Sequence, residues 1–144
     1  MTILKEELLK DLELAREIIS TTDCSVVVIK YGKIWKKKKG EGLKPLIDAI
    51  DEMGEDICES VIGDRILGKA SALLCRYFKV GGVYSPQGTK TGIALLIMGA
   101  IPCQIDKMIP LIKNKDGSDS CPFEKMLKDV DSPEEAYKIL KNEI

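Results

Sequence analysis

Residues 58–79 constrain the fold of this chain more than any other stretch, because three structural signals follow one another there without interruption. The apolar run that ends at Ile62 predicts a buried strand, and a polar turn at Asp64 follows it. From about residue 67 to residue 79, apolar side chains recur every three or four positions, which is typical of an amphipathic helix. A strand that leads directly into a helix is half of a βαβ unit and favours an α/β protein.

The rest of the chain alternates in the same way. Its periodicity predicts helices at residues 4–19, 45–53, 86–98 and 122–128 and from residue 133 onward, and strands at residues 25–29, 33–36, 57–62, 83–84 and 101–105. The last helix begins with a capping box at Ser132. Such alternation predicts a largely parallel sheet with helices on both faces, with an antiparallel hairpin at residues 25–36. Ligands of these sheets bind where strands end and helices begin, which indicates Asp64–Lys69 and the loop at Ser85.

The helix predicted at residues 86–98 has an unusual surface. Ser85 and Pro86 have the pattern of an N-cap followed by a first-turn proline. Residues 93–97 are then apolar without a break, and a helix that is apolar nearly all round is normally covered on more than one side. The cover is either the sheet together with another helix or a second subunit, so a homo-oligomer is one of the interpretations left open.

Length, charge and cysteine spacing limit the functional classes. The chain has 144 residues and a formal net charge of −1, which predicts one domain and gives no reason to expect a nucleic-acid partner. It contains no apolar run long enough for a membrane span, and its N-terminus is acidic and amphipathic, unlike a secretory signal. The five cysteines include no CxxC pair, so we expect a cytoplasmic protein with reduced thiols. The lysines at residues 36–39 are interpreted as a solvated strand end.

The chain has no histidine, which excludes Ser-His and Cys-His dyads, imidazole bases and histidine-containing zinc motifs. The run Gly63–Ser71 matches the spacing of a phosphate-binding loop, but Ala70 stands where a serine or threonine would hold Mg²⁺. What remains is a helix start at which Gly68 would let another group approach, and at which exposed amides and Lys69 favour an anion. The alternative is a packing glycine beside a surface lysine.

Two further groups are candidates for chemistry. Asp64, if desolvated beside Lys69, would have a shifted pKa, as groups in working sites often do; the simpler alternative is a helix cap with a salt bridge. Cys121 precedes Pro122 at a predicted helix start, where a thiol is a poor cap. The helix start would lower the pKa of this thiol and could activate a nucleophile without histidine. The alternative is a partly buried structural thiol followed by an ordinary capping glutamate, Glu124.

Four features in this order resemble an uncharacterised family, a domain of unknown function whose members adopt a cytidine-deaminase-like fold. They are the valine-rich first strand with its basic hairpin, Gly42–Leu46, Asp64–Ala70 and Cys121–Glu124. The resemblance covers roughly residues 5–128 and implies a three-layer α/β/α sandwich with a mixed five-stranded sheet. The whole chain would then be one deaminase-like domain, with a helical extension from about residue 121.

Zinc deaminases of this fold carry their metal ligands at two adjacent helix starts. The matching positions here, 42–45 and 64–69, contain no histidine or cysteine, so we expect no metal and no cofactor. The leading hypothesis is a metal-independent hydrolase or transferase for a small anionic or nucleotide-like ligand. The alternative is a non-catalytic ligand-binding or regulatory module that has lost the zinc site. The expected site has Cys121 as nucleophile, Lys69 as charge stabiliser, Asp64 orienting Lys69, Glu124 as acid or base, and Arg65, Gly68 and Ser85 as ligand-binding residues.

Overall fold

The computed structural model describes residues 5–114 and 116–143, and this part of the chain forms five strands and six α-helices. In chain order the elements are α1 (Lys5–Thr21), β1 (Val26–Lys30), β2 (Lys33–Lys38), α2 (Lys44–Met53), a 3₁₀ turn (Gly54–Ile57), β3 (Val61–Asp64), α3 (Lys69–Tyr77), β4 (Gly82–Thr89), α4 (Lys90–Met98), β5 (Cys103–Ile109), α5 (Pro122–Met126) and α6 (Pro133–Glu143).

The five strands form one mixed sheet in the order β2-β1-β3-β4-β5. β1 is antiparallel to both β2 and β3, whereas β3, β4 and β5 are parallel to one another. α3 and α4 are the crossover helices of the two parallel pairs, as parallel connections require. One face of the sheet is covered by α1, and the opposite face by the helices that follow β2. This arrangement confirms the predicted α/β/α sandwich with a mixed five-stranded sheet.

α1 lies close to the sheet because its contact face is small and apolar. Ala15 and Ile19 are buried on this face. They pack over Gly63 of β3, where an added Cβ would lie only 2.7 Å from Val27 Cγ1 and 3.2 Å from Ala15 Cβ. A larger residue at position 63 would therefore push α1 away from the sheet.

The opposite face holds the larger core and brings the C-terminal segment back to the middle of the fold. α2, α3 and α4 contribute buried side chains to this core, and α6 adds Ala136 and Leu140. Outside the core, Tyr137 of α6 stacks on Tyr77 of α3, with ring centroids 5.2 Å apart. Because α6 packs on α3, the short α5 that precedes it lies near the start of α3.

The strand predicted at residues 57–62 is shifted in the structure. Gly54 ends α2 as predicted, but the chain then continues as a 3₁₀ turn, and Glu59 adopts a left-handed conformation with φ of 64°. β3 starts only at Val61 and includes Asp64 as its last residue. Asp64 is consequently held by the sheet and does not belong to the following turn.

The prediction that Ser85 and Pro86 start a helix is wrong. Both residues lie within β4, and the N-cap of α4 is Thr89, whose hydroxyl oxygen accepts a hydrogen bond from the Gly92 N–H at 3.0 Å. In the β4–β5 ladder, Ser85 pairs with Ile105 and Gln87 pairs with Lys107. Pro86, between them, has no partner in this ladder, so its missing N–H is tolerated. Tertiary strand pairing therefore overrides a local capping pattern, and it also extends β5 beyond the predicted 101–105.

Other boundaries differ by a few residues. Leu4, the predicted first residue of α1, lies outside the described residues. α3 begins at Lys69 rather than near Leu67, because the N–H and C=O of Leu67 bond to β4 residues at 2.8 and 2.9 Å. α5 ends at Met126, two residues earlier than predicted. The capping box is confirmed in part, since the Ser132 hydroxyl oxygen accepts from the Glu135 N–H at 3.3 Å.

α4 is covered by this chain on one side. Leu95 and Leu96 are buried, whereas Ile97 and Met98 are 65% and 72% exposed. The apolar surface that the sequence predicts to be covered on more than one side is therefore left open within residues 5–114 and 116–143, and a homo-oligomer stays a prediction. In the same part of the chain, each helix is too short or too polar to span a bilayer.

Candidate functional site

A cavity of about 640 Å³ opens at the carboxyl end of β3, between the starts of α2 and α3, and α5 forms part of its wall. This volume is in the usual range of small-molecule sites. Described residues from five parts of the chain line it: Ser25 and Val26, Gly40–Leu43 and Leu46, Asp64–Ile66 with Ala70 and Ser71, Ile112–Asn114 with Asp116, and Cys121–Glu124.

Asp64 lies at the end of β3 with only 9% of its surface exposed, in the wall of this cavity. Burial, with a smaller contribution from the nearby Glu124 carboxylate, raises the pKa of Asp64 from its ordinary value of 3.8 to about 7. Hydrogen bonds from the Ser71 hydroxyl and the Ile66 N–H oppose this increase. Asp64 can therefore gain or lose a proton near neutral pH.

Glu124 of α5 caps the start of α3. Its Oε1 accepts a hydrogen bond from the Lys69 N–H at 2.8 Å, and its Oε2 accepts one from the Ala70 N–H at 2.9 Å. The sequence indicates an anion at this helix start, and the anion in the structure is the chain's own carboxylate. Gly68 permits the approach, since a Cβ there would lie 2.2 Å from Glu124 Oε1.

A second glycine, Gly42, contacts Phe123, the residue of α5 that precedes Glu124. Gly42, just before α2, has φ of +62°, and a Cβ on it would lie 3.0 Å from Cε2 of Phe123. α5 therefore contacts the starts of both α2 and α3, the two positions at which the resemblance places the motifs of the fold. Residues of α5 therefore form the wall of the cavity on this side.

Cys121 is the N-cap of α5, but its side chain makes no capping hydrogen bond. Its backbone N–H donates to the carbonyl of Ile112 at 2.7 Å, which fixes the residue at the cavity. The half-buried thiol lines the same cavity as Asp64 and Glu124. The fold thus brings together three of the four residues that the sequence singles out as catalytic.

Lys69, the fourth residue, points elsewhere. Its ammonium lies 3.1 Å from Asp131 Oδ1 and donates to the Lys128 carbonyl at 3.2 Å, and its side chain is only 11% exposed. Lys69 lines a separate cavity of about 230 Å³. The acidic partner of this ammonium is therefore Asp131, and the expected orientation of Lys69 by Asp64 is not observed. Lys69 holds the connection between α5 and α6 on α3.

The residues expected to bind ligand have different positions. The Arg65 guanidinium donates to the carbonyls of Ile19 at 2.8 Å and Cys24 at 2.9 Å, so it ties the end of α1 to β3 while also lining the cavity. Ser85 is fully buried and donates to the Gln87 carbonyl at 2.7 Å. It is not among the described residues that line the main cavity.

Sequence reasoning missed three residues that shape the site. Ser71, in the first turn of α3, donates to Asp64, and its position at the end of the Gly63–Ser71 run could have indicated it. Phe123 packs on Gly42 and lines the cavity. Asp131 neutralises Lys69 across the α5–α6 connection, and no local pattern marks it.

The zinc site of the fold does not fit these residues. The chain has no histidine, and no group of three or more cysteine, aspartate or glutamate side chains in residues 5–114 and 116–143 is arranged to hold a metal ion. The helix starts that carry metal ligands in zinc deaminases instead receive Phe123 and Glu124 of α5. No step of the chemistry is therefore assigned to a metal.

Comparison with known proteins places the chain in a family. The family model described as "Domain of unknown function (DUF1893)" matches residues 14–144. This chain belongs to the DUF1893 family. It is similar to the crystal structure of a DUF1893 family protein (TM1506) from Thermotoga maritima, with a TM-score of 0.86 and 27% identity over 99% of this chain and 94% of that one. No curated protein matches the sequence.

Two more distant solved structures align with part of this chain, and the one with the higher TM-score shares its fold. RibD from Acinetobacter baumannii aligns with a TM-score of 0.54 and 14% identity over 69% of this chain, which spans only 36% of the RibD chain. The dCMP deaminase of cyanophage S-TIM5 aligns with a TM-score of 0.47 and 13% identity, over 74% of this chain and 100% of that one. This DUF1893 member thus has a cytidine-deaminase-like α/β fold, and its reaction is not given by these likenesses.

Proposed function

We propose that this DUF1893 protein is an enzyme that acts on a small molecule in the main cavity by acid–base and thiol chemistry. The observation that carries the proposal is Asp64, a buried carboxyl group with a pKa of about 7, in the wall of the same cavity as the thiol of Cys121. A general acid or base works best when its pKa is near the working pH. Asp64 would transfer the proton, and Cys121 would supply the nucleophile without histidine or metal.

Glu124, Lys69 and Ser71 have supporting roles in this proposal. Glu124 would position α5, and with it Cys121, because both of its oxygens are held by the amides of α3. Lys69 would keep the α5–α6 connection in place through Asp131. Ser71 would orient the carboxyl group of Asp64. Positioning of this kind matters because proton transfer requires groups within hydrogen-bond reach.

A second candidate function is a non-catalytic binding or regulatory module. The observation that favours it is the engagement of Lys69 and Glu124 in contacts within the chain, which leaves fewer groups for chemistry. In that case the cavity would still bind a specific ligand, and the role of α5 would be to complete the binding site. The two functions differ in one measurable property, the conversion of the bound molecule.

The test is to incubate the purified protein with a small-metabolite extract and follow consumption by mass spectrometry. We expect at least one metabolite to be consumed, with a rate that depends on a group of pKa near 7. Asp64→Asn should lower this rate roughly 10²- to 10⁴-fold, as expected for loss of a general acid or base. Cys121→Ser should abolish it.

The matched control is Cys103→Ser, since Cys103 is a half-buried thiol of β5 that does not line the cavity. This variant should convert the metabolite at the wild-type rate. Binding of an extract component without conversion, detected by native mass spectrometry, would support the second candidate. Conversion that persists unchanged in Cys121→Ser would show that the thiol has no catalytic role.

A further inference from the structure

Three described side chains in the wall of the main cavity, Ser25, Ser71 and Arg65, already donate their hydrogen bonds within the protein. The Ser25 hydroxyl donates to the Gly40 carbonyl at 2.7 Å, and the Ser71 hydroxyl donates to Asp64. The Arg65 guanidinium donates to backbone carbonyls of the Ile19–Cys24 segment. Each of these groups is therefore occupied before a ligand arrives.

The backbone amides at the start of α3 are occupied as well. A helix start of this kind would normally be the place for a phosphate or carboxylate. Here the N–H groups of Lys69 and Ala70 are bonded to Glu124. The Lys69 ammonium is directed to Asp131 and Lys128, on the side of the smaller cavity. An anionic ligand would find few of the donors that its oxygens require.

Hydrogen-bond acceptors, in contrast, remain available in the wall of the cavity. A carboxylate offers about four lone-pair positions. Glu124 uses two of them for α3, and Asp64 uses two for Ser71 and Ile66. Among the described residues that line the cavity, the charged side chains are mainly acidic: Glu41, Asp64, Asp116 and Glu124, against Arg65 and Lys113. The net negative charge of these side chains and the excess of acceptors over donors therefore both disfavour an anionic ligand.

We infer that the ligand of the main cavity is a small cationic or neutral molecule rich in N–H donors, such as an amidine, guanidine or amino-heterocycle, and not an anion. The inference deepens the proposed function, on which it rests for the use of this cavity. A planar N–H-bearing group can donate to Asp64 and Glu124 while its face contacts the half-buried Phe123. This class replaces the anionic ligand expected from the Gly68–Lys69 helix start.

Benzamidine and benzoate provide a matched pair of probes, because they share one planar ring and carry opposite charges. Binding to the full chain is measured by calorimetry and by ligand-induced thermal shift at pH 8. We expect benzamidine to bind at least 10-fold more tightly than benzoate. Its affinity should increase from pH 6 to pH 8 as Asp64 ionises, because an ionised carboxylate both attracts the cation and accepts its N–H groups.

Variants then assign the preference to the cavity. Asp64→Asn should weaken benzamidine roughly 10-fold and remove the increase with pH, whereas benzoate should bind no more weakly than before. Asp129→Asn changes an exposed aspartate that does not line the cavity and should leave both affinities unchanged. Two results would overturn the inference. One is that benzoate binds as tightly as benzamidine or more tightly. The other is that benzamidine shows no binding at about 10 mM, the weakest affinity expected of such a fragment.

The outcomes for ligand class and for catalysis are separable. Preference for benzamidine in a protein that converts no metabolite would retain the ligand class and reject the enzyme. Cysteine-dependent conversion of a metabolite, together with preference for benzoate, would retain the enzyme and reject the ligand class.

Discussion

Replacing Gly68 with alanine should detach α5 from the start of α3 and lower the free energy of unfolding by about 2–4 kcal/mol. The new Cβ would lie 2.2 Å from Glu124 Oε1 and 2.5 Å from Ile112 Cδ1. Gly68 has extended backbone angles that alanine also adopts, so the effect is purely steric. The Glu124 carboxylate must then leave its two amides. A hydrogen bond to a charged group contributes roughly 1.5–3 kcal/mol net, and we expect the low end of this range because Glu124 is only half-buried.

Chemical denaturation and thermal unfolding measure this effect, which corresponds to roughly 6–12 °C for a domain of this size. Glu124→Ala should give a similar loss because it removes the same two bonds. The double variant should lose less than the sum, because the clash with the carboxylate disappears once Glu124 is absent. Limited proteolysis should cut the α5 region faster in both single variants.

The matched control is Glu134→Ala in the first turn of α6. Glu134 is exposed and forms an ordinary i,i+4 pair with Lys138 at 3.2 Å. Pairs of this kind contribute only about 0.3–0.5 kcal/mol. If Gly68→Ala unfolds at the wild-type midpoint, or if the two single effects are strictly additive, α5 is not held by Glu124 as described.

Replacing Asp64 with asparagine should stabilise the protein above pH 7, by on the order of 2–4 kcal/mol, while it reduces function. Burial raises the pKa of Asp64 from 3.8 to about 7, so the folded protein binds this proton more tightly than the unfolded chain. The stability contributed by the protonated group is present below pH 3.8 and is lost as the pH rises from 3.8 to 7. Asparagine keeps the shape and never ionises.

The measurement is denaturant unfolding of wild type and Asp64→Asn at pH 4, 6 and 8. The difference between the two proteins should be small at pH 4 and largest at pH 8, and other titrating groups cancel in this comparison. Asp116→Asn, at an exposed position of the same cavity wall, should change stability by less than about 0.5 kcal/mol at each pH. A constant difference across pH would mean that folding does not raise the pKa of Asp64.

Local patterns in the sequence predict most of the architecture. The hairpin, the order of strands and helices and the cap at Ser132 depend on residues within a few positions of one another. The same kind of pattern failed at Ser85 and Pro86, because pairing with β5 decides the conformation there. A cap contributes about 1 kcal/mol, and a strand ladder with a buried face outweighs it.

The candidate site was predictable as a set of residues and not as a set of contacts. Cys121 at the start of a short helix follows from its neighbours in the sequence, and so does Asp64 near the end of a buried strand. The partner of Lys69 does not, because Asp131 lies in the distant α5–α6 connection and approaches only when α6 packs on α3. For the same reason, the sequence predicted an anion at the start of α3 but did not show that this anion is Glu124.

The sequence alone determined that this protein is an α/β domain without imidazole chemistry, since composition and short-range periodicity need no folded structure to be read. The tertiary structure alone decided which polar groups remain available for a ligand. Glu124 meets the amides of α3 from 54 and 55 positions away along the chain, and Asp64 is buried only when α3 and α5 pack beside it. Hydrogen-bond partners and desolvation depend on such long-range packing, which no local pattern encodes.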